Sequence, residues 1–230
     1  MTVMPKPAPP DPEPDPPARR PRDPDRTRRE ILAAAREEFV EYGLDGARVD
    51  RIAANAGANK RMLYHYFGNK EALYAKVLLE AYRDIRAGEL ELHLGELAPR
   101  EAMERLVGFT FDHFRDAPWF LRLLATENIQ RGVYVRALPE IRELHSPLVA
   151  QIAEVLSAGE ARGIFRHGVD PVQLYITVAG VSYFYMSNIH TLSAIFAMPL
   201  TEEKLMATRR AHAVEVVLGY LRPEESLAAK

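Results

Sequence analysis

Residues 48–73 read RVDRIAANAGANKRMLYHYFGNKEAL, and the fold turns on this stretch. Val49, Ile52, Ala53 and Ala56 recur at helical spacing and form one apolar stripe. Gly57 ends that helix, because glycine accepts the left-handed geometry that a helix C-terminus needs. Asn59 caps a second helix through its side-chain oxygen. Met62, Leu63, Tyr66 and Phe67 give that helix, of about two turns, its apolar contacts. Gly68-Asn69 breaks it, and Asn69 caps a longer helix that begins at Lys70. Ala53, Ala56 and Ala58 are small enough for the two short helices to cross closely. Two short helices joined by a tight turn make a helix-turn-helix, which sets the start of its second helix in the DNA major groove.

The chemistry at that helix start agrees with such a placement. Lys60 and Arg61 can donate to guanine O6 and N7, and the ring of Tyr64 can lie against a thymine methyl. Arg48, His65, Tyr66 and Lys70 suit phosphate oxygens, which fix register without reading sequence. Lys70 also opens a helix, where backbone N–H groups favour an anion.

The segment from Arg29 to Leu78 resembles the N-terminal domain of the tetracycline-repressor (TetR) family of bacterial transcription regulators. The likeness is carried by Ile31-Leu32-Ala33-Ala34-Ala35, Phe39, Tyr42-Gly43, Ile52-Ala53, Ala56-Gly57, and above all Leu63-Tyr64-x-x-Phe67-x-x-Lys70-Glu71-x-Leu73. It implies an all-α chain: a three-helix DNA-binding domain followed by a larger helical domain for ligand binding and dimerisation. One departure is visible. Such proteins usually carry Thr or Ser at the start of the first short helix, where Ala47-Arg48 stand here. Losing that cap costs roughly 1 kcal/mol.

Working outward, residues 1–24 hold ten of the seventeen prolines, interleaved with Asp, Glu and Arg. Such a stretch cannot bury enough apolar surface to fold and is expected to be disordered. Arg19, Arg20 and Arg22 make it either a solvated tail or a basic arm against DNA. Asp23-Pro24-Asp25 starts a helix whose inner face is Ile31, Ala35, Phe39 and Tyr42, and which Gly43 stops. Residues 25–72 form the expected DNA-binding domain and 73–230 the ligand-binding and dimerisation domain. From Lys70 to about Glu89 a long helix links the two. Further helices are predicted near 100–115, 119–131, 137–161, 171–196 and 202–221, with Pro147 kinking or splitting the third.

The chain has 230 residues, no cysteine and a net charge of −2. Twelve basic against nine acidic residues between Arg26 and Arg86 give that part +3 and leave −5 for the remainder. A DNA binder needs a basic face rather than a basic chain. No apolar run reaches membrane-spanning length and no signal peptide is visible, so a cytoplasmic, membrane-free protein is expected. None of the seven histidines pairs at ligand spacing, and no nucleophile elbow, phosphate loop or dinucleotide motif occurs. Neither catalysis, nor a metal, nor a cofactor is expected.

Aromatic and polar residues mix in the middle of the chain. Phe111, Trp119, Glu127, Asn128, Arg131, Tyr175 and Asn188 are the candidates for a ligand pocket, since pockets combine apolar walls with a few placed polar groups. Aromatic walls favour a planar effector, and Arg131 suits a carboxylate. The segment from Glu127 to Phe196 also resembles TetR-family regulators of pyrimidine and nicotinic-acid breakdown, which implies a heteroaromatic metabolite. Two apolar faces, Tyr175/Val178/Ser182/Tyr185/Ile189 and Leu205/Val214/Val217/Leu218/Leu221, are expected to meet those of a second copy. The combined reading is a ligand-responsive repressor that binds a palindromic operator as a homodimer. The alternative is a helical ligand-binding or scaffold protein whose helix-turn-helix does not touch DNA.

Overall fold

Asp23 begins the described fold: its carboxylate accepts the N–H of Asp25, and Pro24 occupies the first turn, where a missing N–H costs nothing. The structure, a computed structural model, describes residues 23–223. The tail up to residue 22 and its arginine arm lie outside the described residues. Within them the chain forms eleven α-helices and no strand. The first three are α1 (Pro24–Gly46), α2 (Val49–Asn55) and α3 (Lys60–Phe67). The long α4 (Lys70–Leu90) follows, then a 3-10 turn at Leu94–Glu96. The rest are α5 (Pro99–Asp116), α6 (Pro118–Ile129), α7 (Val133–Arg136), α8 (Pro139–Ala161), α9 (Pro171–Ser187), α10 (Ile189–Phe196) and α11 (Glu203–Leu221).

The N-terminal signals act as read. Asn59 accepts the Met62 N–H, and Asn69 accepts the Ala72 N–H. Gly57 takes φ +57° in the turn between α2 and α3, a conformation that costs other residues a Cβ clash. Gly43 ends the regular helix as read, at φ +65°, ψ 179°, and one further turn runs on across that kink to Gly46.

α5 is the centre of the larger half. Its face of Met103, Leu106, Val107 and Phe111 is fully buried and packs against α8, α9 and α11. Each such side chain stabilises the fold by about 1.5–3 kcal/mol. α4 packs on both α1 and α8. A single apolar core therefore runs from Ile31 in α1 to Leu221 in α11.

Four expectations are corrected. The helix predicted over 171–196 is two helices, because the Asn188 side chain donates to the Phe184 carbonyl and the Ser187 hydroxyl and interrupts the ladder. Pro147 does not split α8, which runs on as one element. The exposed turn before it has its Ile141 and Arg142 carbonyls bonded by His145 and Ser146 side chains. The short α7 was not foreseen; four residues carry no periodicity. Finally, Val178, Ser182, Tyr185 and Ile189, with Val217, Leu218 and Leu221, are buried within the chain itself, so they do not form an outer face.

Candidate nucleic-acid interface and effector cavity

α3 buries Leu63 and Phe67 and turns Lys60, Arg61, Tyr64 and His65 to solvent. Tyr66 is half-buried, with its ring edge-on to those of His65 and Phe67. The Arg28 guanidinium of α1 lies 5.7 Å from the Phe67 ring centre and braces the end of α3. Lys60 pairs with Asp50 of α2 at 2.5 Å, both half-exposed; a surface pair of this kind is worth little and can open to a phosphate.

α2 is held without a side-chain cap. Arg48 occupies the cap position and makes no capping bond. Its backbone N–H is taken instead by Glu38 of α1 at 2.7 Å. The same buried carboxylate accepts from Arg51 Nε at 2.8 Å, and Arg51 stacks over the Tyr42 ring at 4.2 Å. Burial pushes the Glu38 carboxyl up, but the bonds from Arg51 and Arg48 outweigh it and leave it below its ordinary value. Glu38 thus pins the start of α2 from α1 without supplying the missing cap bond, and the Arg48 side chain stays exposed. The Lys70 ammonium is half-buried and donates to the carbonyls of Asp45 and Ala47, at 3.5 and 3.3 Å. It ties the start of α4 to the end of α1.

A cavity of about 360 Å³ lies between α4, α5, α6, α8 and α9. Its walls are Tyr82, Ile85, Phe114, Phe120, Leu124, Ala179, Gly180 and Tyr183; its polar groups include Arg86, Asn128, His145 and Tyr175. Arg86 is buried, as is Glu89 one turn further along α4. The guanidinium Nη1 stands 2.7 Å from a Glu89 oxygen, Nη2 donates to the Tyr175 hydroxyl at 3.1 Å, and Nε has no partner. Burial raises the Glu89 carboxyl to about 7 against the pull of Arg86. His145 Nδ1 meets the Ile141 carbonyl at 2.8 Å. Nδ1 therefore carries the proton and Nε2 is left as an acceptor. Burial, then the Arg86 charge, hold both His145 and His113 below the ordinary histidine value.

Of the seven predicted ligand residues, Asn128 and Tyr175 line this cavity. Phe111 is core, tilted against the Tyr185 ring. Trp119 lines a smaller cleft of about 130 Å³ between α1, α4 and α6, under Arg36. The Glu127 carboxylate caps α7 by accepting the N–H groups of Tyr134 and Val135. Arg131 sits in the α6–α7 turn at φ +57°, exposed. Asn188 is spent on the α9–α10 break. Arg86, Tyr82 and His145 were missed. A signal existed for Arg86: it falls one turn beyond Tyr82, on the stripe that Leu78 and Leu79 begin.

A three-helix DNA-reading unit continuous with a helical domain enclosing a cavity defines a helix-turn-helix transcription regulator. Two family models match the chain: "Bacterial regulatory proteins, tetR family" over residues 31–77 and "Tetracyclin repressor-like, C-terminal domain" over 99–217. The chain belongs to the TetR family of non-enzymatic, DNA-binding transcription regulators. It is 36% identical to the HTH-type transcriptional repressor NicS of Pseudomonas putida over 86% of this chain and 93% of that one. The transcriptional regulator SCO4942 of Streptomyces coelicolor superposes with a TM-score of 0.63 at 28% identity, over 85% and 98% of the two chains. FadR of Bacillus subtilis, solved with stearoyl-CoA, shares the fold at TM-score 0.64 and 18% identity, over 85% and 100%.

Proposed function

We infer that this chain is a ligand-responsive repressor that binds a near-palindromic operator as a homodimer and answers to a small aromatic or heteroaromatic metabolite. The observation that carries the reading is the exposed face of α3, where Lys60, Arg61, Tyr64 and His65 stand free of the core. Lys60, Arg61 and Tyr64 are assigned to bases; Arg48, His65, Tyr66 and Lys70 to phosphates. The relatives named above include a repressor, which supports the same polarity here. A role on DNA fits a cytoplasmic protein. No helix of the described residues is long and apolar enough to cross a membrane.

The dimer reading rests on a different face from the one the sequence suggested. Ile176 and Phe184 on α9, Ile195 and Phe196 on α10, and Val216 and Tyr220 on α11 are exposed, and α9 packs beside α11. Exposed large apolar side chains on three successive helices supply the surface that a second copy would cover. A two-fold pair would set two recognition helices about 34–36 Å apart for successive major grooves.

The effector site is the cavity between α4 and α9, of a size and lining suited to a small planar molecule. FadR, of the same fold, was solved with an organic ligand. α4 connects the two sites: Lys70 holds the DNA-binding half, and Arg86 forms cavity wall. An effector must favour one separation of the recognition helices over another, or it cannot regulate. Selection of genomic fragments on the purified protein, at low and moderate salt, tests the reading. Enrichment of a near-palindromic site, released or tightened by a hit from a thermal-shift screen of aromatic metabolites, is expected. Failure to enrich any site would overturn it.

A further inference from the structure

The cavity holds a buried charge arrangement that a neutral pocket does not need. Arg86 is 3% exposed, its Nε has no partner, and it forms part of the cavity wall. Its counter-ion Glu89 is 1% exposed and stands behind it, outside the lining. The Arg86–Glu89 contact is close but lacks hydrogen-bond alignment, so neither group is satisfied by the other. A buried, incompletely bonded pair is weak evidence for stability, and an unpartnered guanidinium N–H in a cavity wall is a donor that an anion can use.

We propose that the cavity takes a planar aromatic monocarboxylate whose carboxylate lands on Arg86, and that Glu89 takes up one proton from solvent as the anion binds. The proposal rests on the reading of this cavity as the effector site. Two carboxylates cannot share one buried guanidinium at low cost. Protonating Glu89 restores neutrality: Arg86 then pairs with the ligand, and the Glu89 carboxylic acid remains behind it. The rings of Tyr82, Phe120 and Tyr183 supply aromatic wall.

The other groups near the pair do not take the proton. Tyr175 of α9 already bonds Arg86, and burial raises its hydroxyl further above neutrality. Tyr82 of α4 is pushed up to about 12. His145 of α8 and His113 of α5 are held down first by burial, which a bound ligand does not relieve, and less by Arg86; Asp84 and Asp116 pull His113 the other way. Glu89 is the group poised near neutrality, at about 7.

Calorimetry on the full chain tests this with benzoate and its neutral isostere benzamide, each in two buffers of different ionisation enthalpy at pH 8. Benzoate is expected to bind with close to one proton taken up, and its affinity to fall about tenfold per pH unit above 7. Benzamide is expected to bind at least tenfold more weakly, with no uptake. E89Q removes the competing charge, so benzoate should bind it more tightly, at an affinity independent of pH. Should E89Q fail to fold, the two-buffer measurement on the wild type decides alone. Benzoate binding without proton uptake, equal binding of the two probes, or no binding of either overturns the proposal. Operator selection reads the regulator function without these probes, so the two can fail separately.

Discussion

At the scale of the residue, the side chains proposed to read DNA are mostly distinct from those that hold the reader in place, with Lys70 serving both ends. Arg61 is exposed at the start of α3. Arg61→Ala is expected to cost about 1–3 kcal/mol of operator binding and to relax preference at one base position. Fluorescence anisotropy against operator variants checks it. Lys70→Ala should weaken all sequences alike and flatten the salt dependence; because the ammonium also bonds the Asp45 and Ala47 carbonyls, it should lower the melting temperature too. Glu38→Gln removes a carboxylate that serves both Arg48 and Arg51, and a loss of about 1–3 kcal/mol is expected in urea unfolding. The wild-type carboxyl is depressed on folding. Its contribution is therefore present above its ordinary value of 4.5 and lost as pH falls through the lower, folded value. The exposed start of α3 was legible in the sequence, because the Asn59 cap and the buried pair Leu63 and Phe67 fix which side chains face solvent. Glu38 was not: ten residues separate it from the N–H it bonds, and a charged residue on a helix reads as solvated.

At the scale of the element, periodicity located most helices but not which side of each faces inward. On α9 the sequence is apolar nearly all round, so spacing alone does not say that the stripe Val178/Ser182/Tyr185 faces inward and Ile176/Phe184 outward. Packing chose the first for the core. The consequence is a pair of opposite outcomes. Phe184→Asp with Val216→Asp should yield a folded monomer by light scattering, with helical circular dichroism intact. Val217→Asp should unfold the chain, because Val217 is fully buried and an unpaired buried charge costs far more than one contact. A second check concerns α8. The Phe165 ring rests directly against the Gly159 backbone. Gly159→Ala should destabilise by about 1–3 kcal/mol through overpacking, despite the gain in helix propensity. The break at Asn188 and the helix α7 were illegible for a related reason: each depends on side-chain bonds, to Phe184 and from Glu127, whose geometry no spacing rule carries.

At the scale of the whole molecule, Glu89 gives stability a second pH dependence, of opposite sign to that of Glu38. Its folded value of about 7 lies above the ordinary 4.5. The stability it contributes is complete below 4.5 and is lost as pH rises through 7. The loss is on the order of 3 kcal/mol. Thermal midpoints from pH 5 to 8 should fall in the wild type relative to Glu89→Gln, which does not titrate; parallel curves would contradict this. Effector binding should change operator affinity by roughly 5–150-fold, the usual range for coupling between sites. A gel-shift titration with and without a screened hit measures it.

The core that runs unbroken from Ile31 to Leu221 bears on how such a regulator can be engineered. Arg36 of α1 lies over the Trp119 ring of α6 at 4.7 Å, and Arg122 of α6 reaches Glu41 of α1. The DNA-reading unit is therefore seated on the effector-binding half by more than the helix that joins them. A hybrid sensor made by grafting residues 23–77 onto a foreign effector domain would inherit an orphaned Arg36 and an uncovered flank on α1. Transplanting α6 along with the reading head would keep the seat, and with it the chance that the borrowed head still obeys its new sensor.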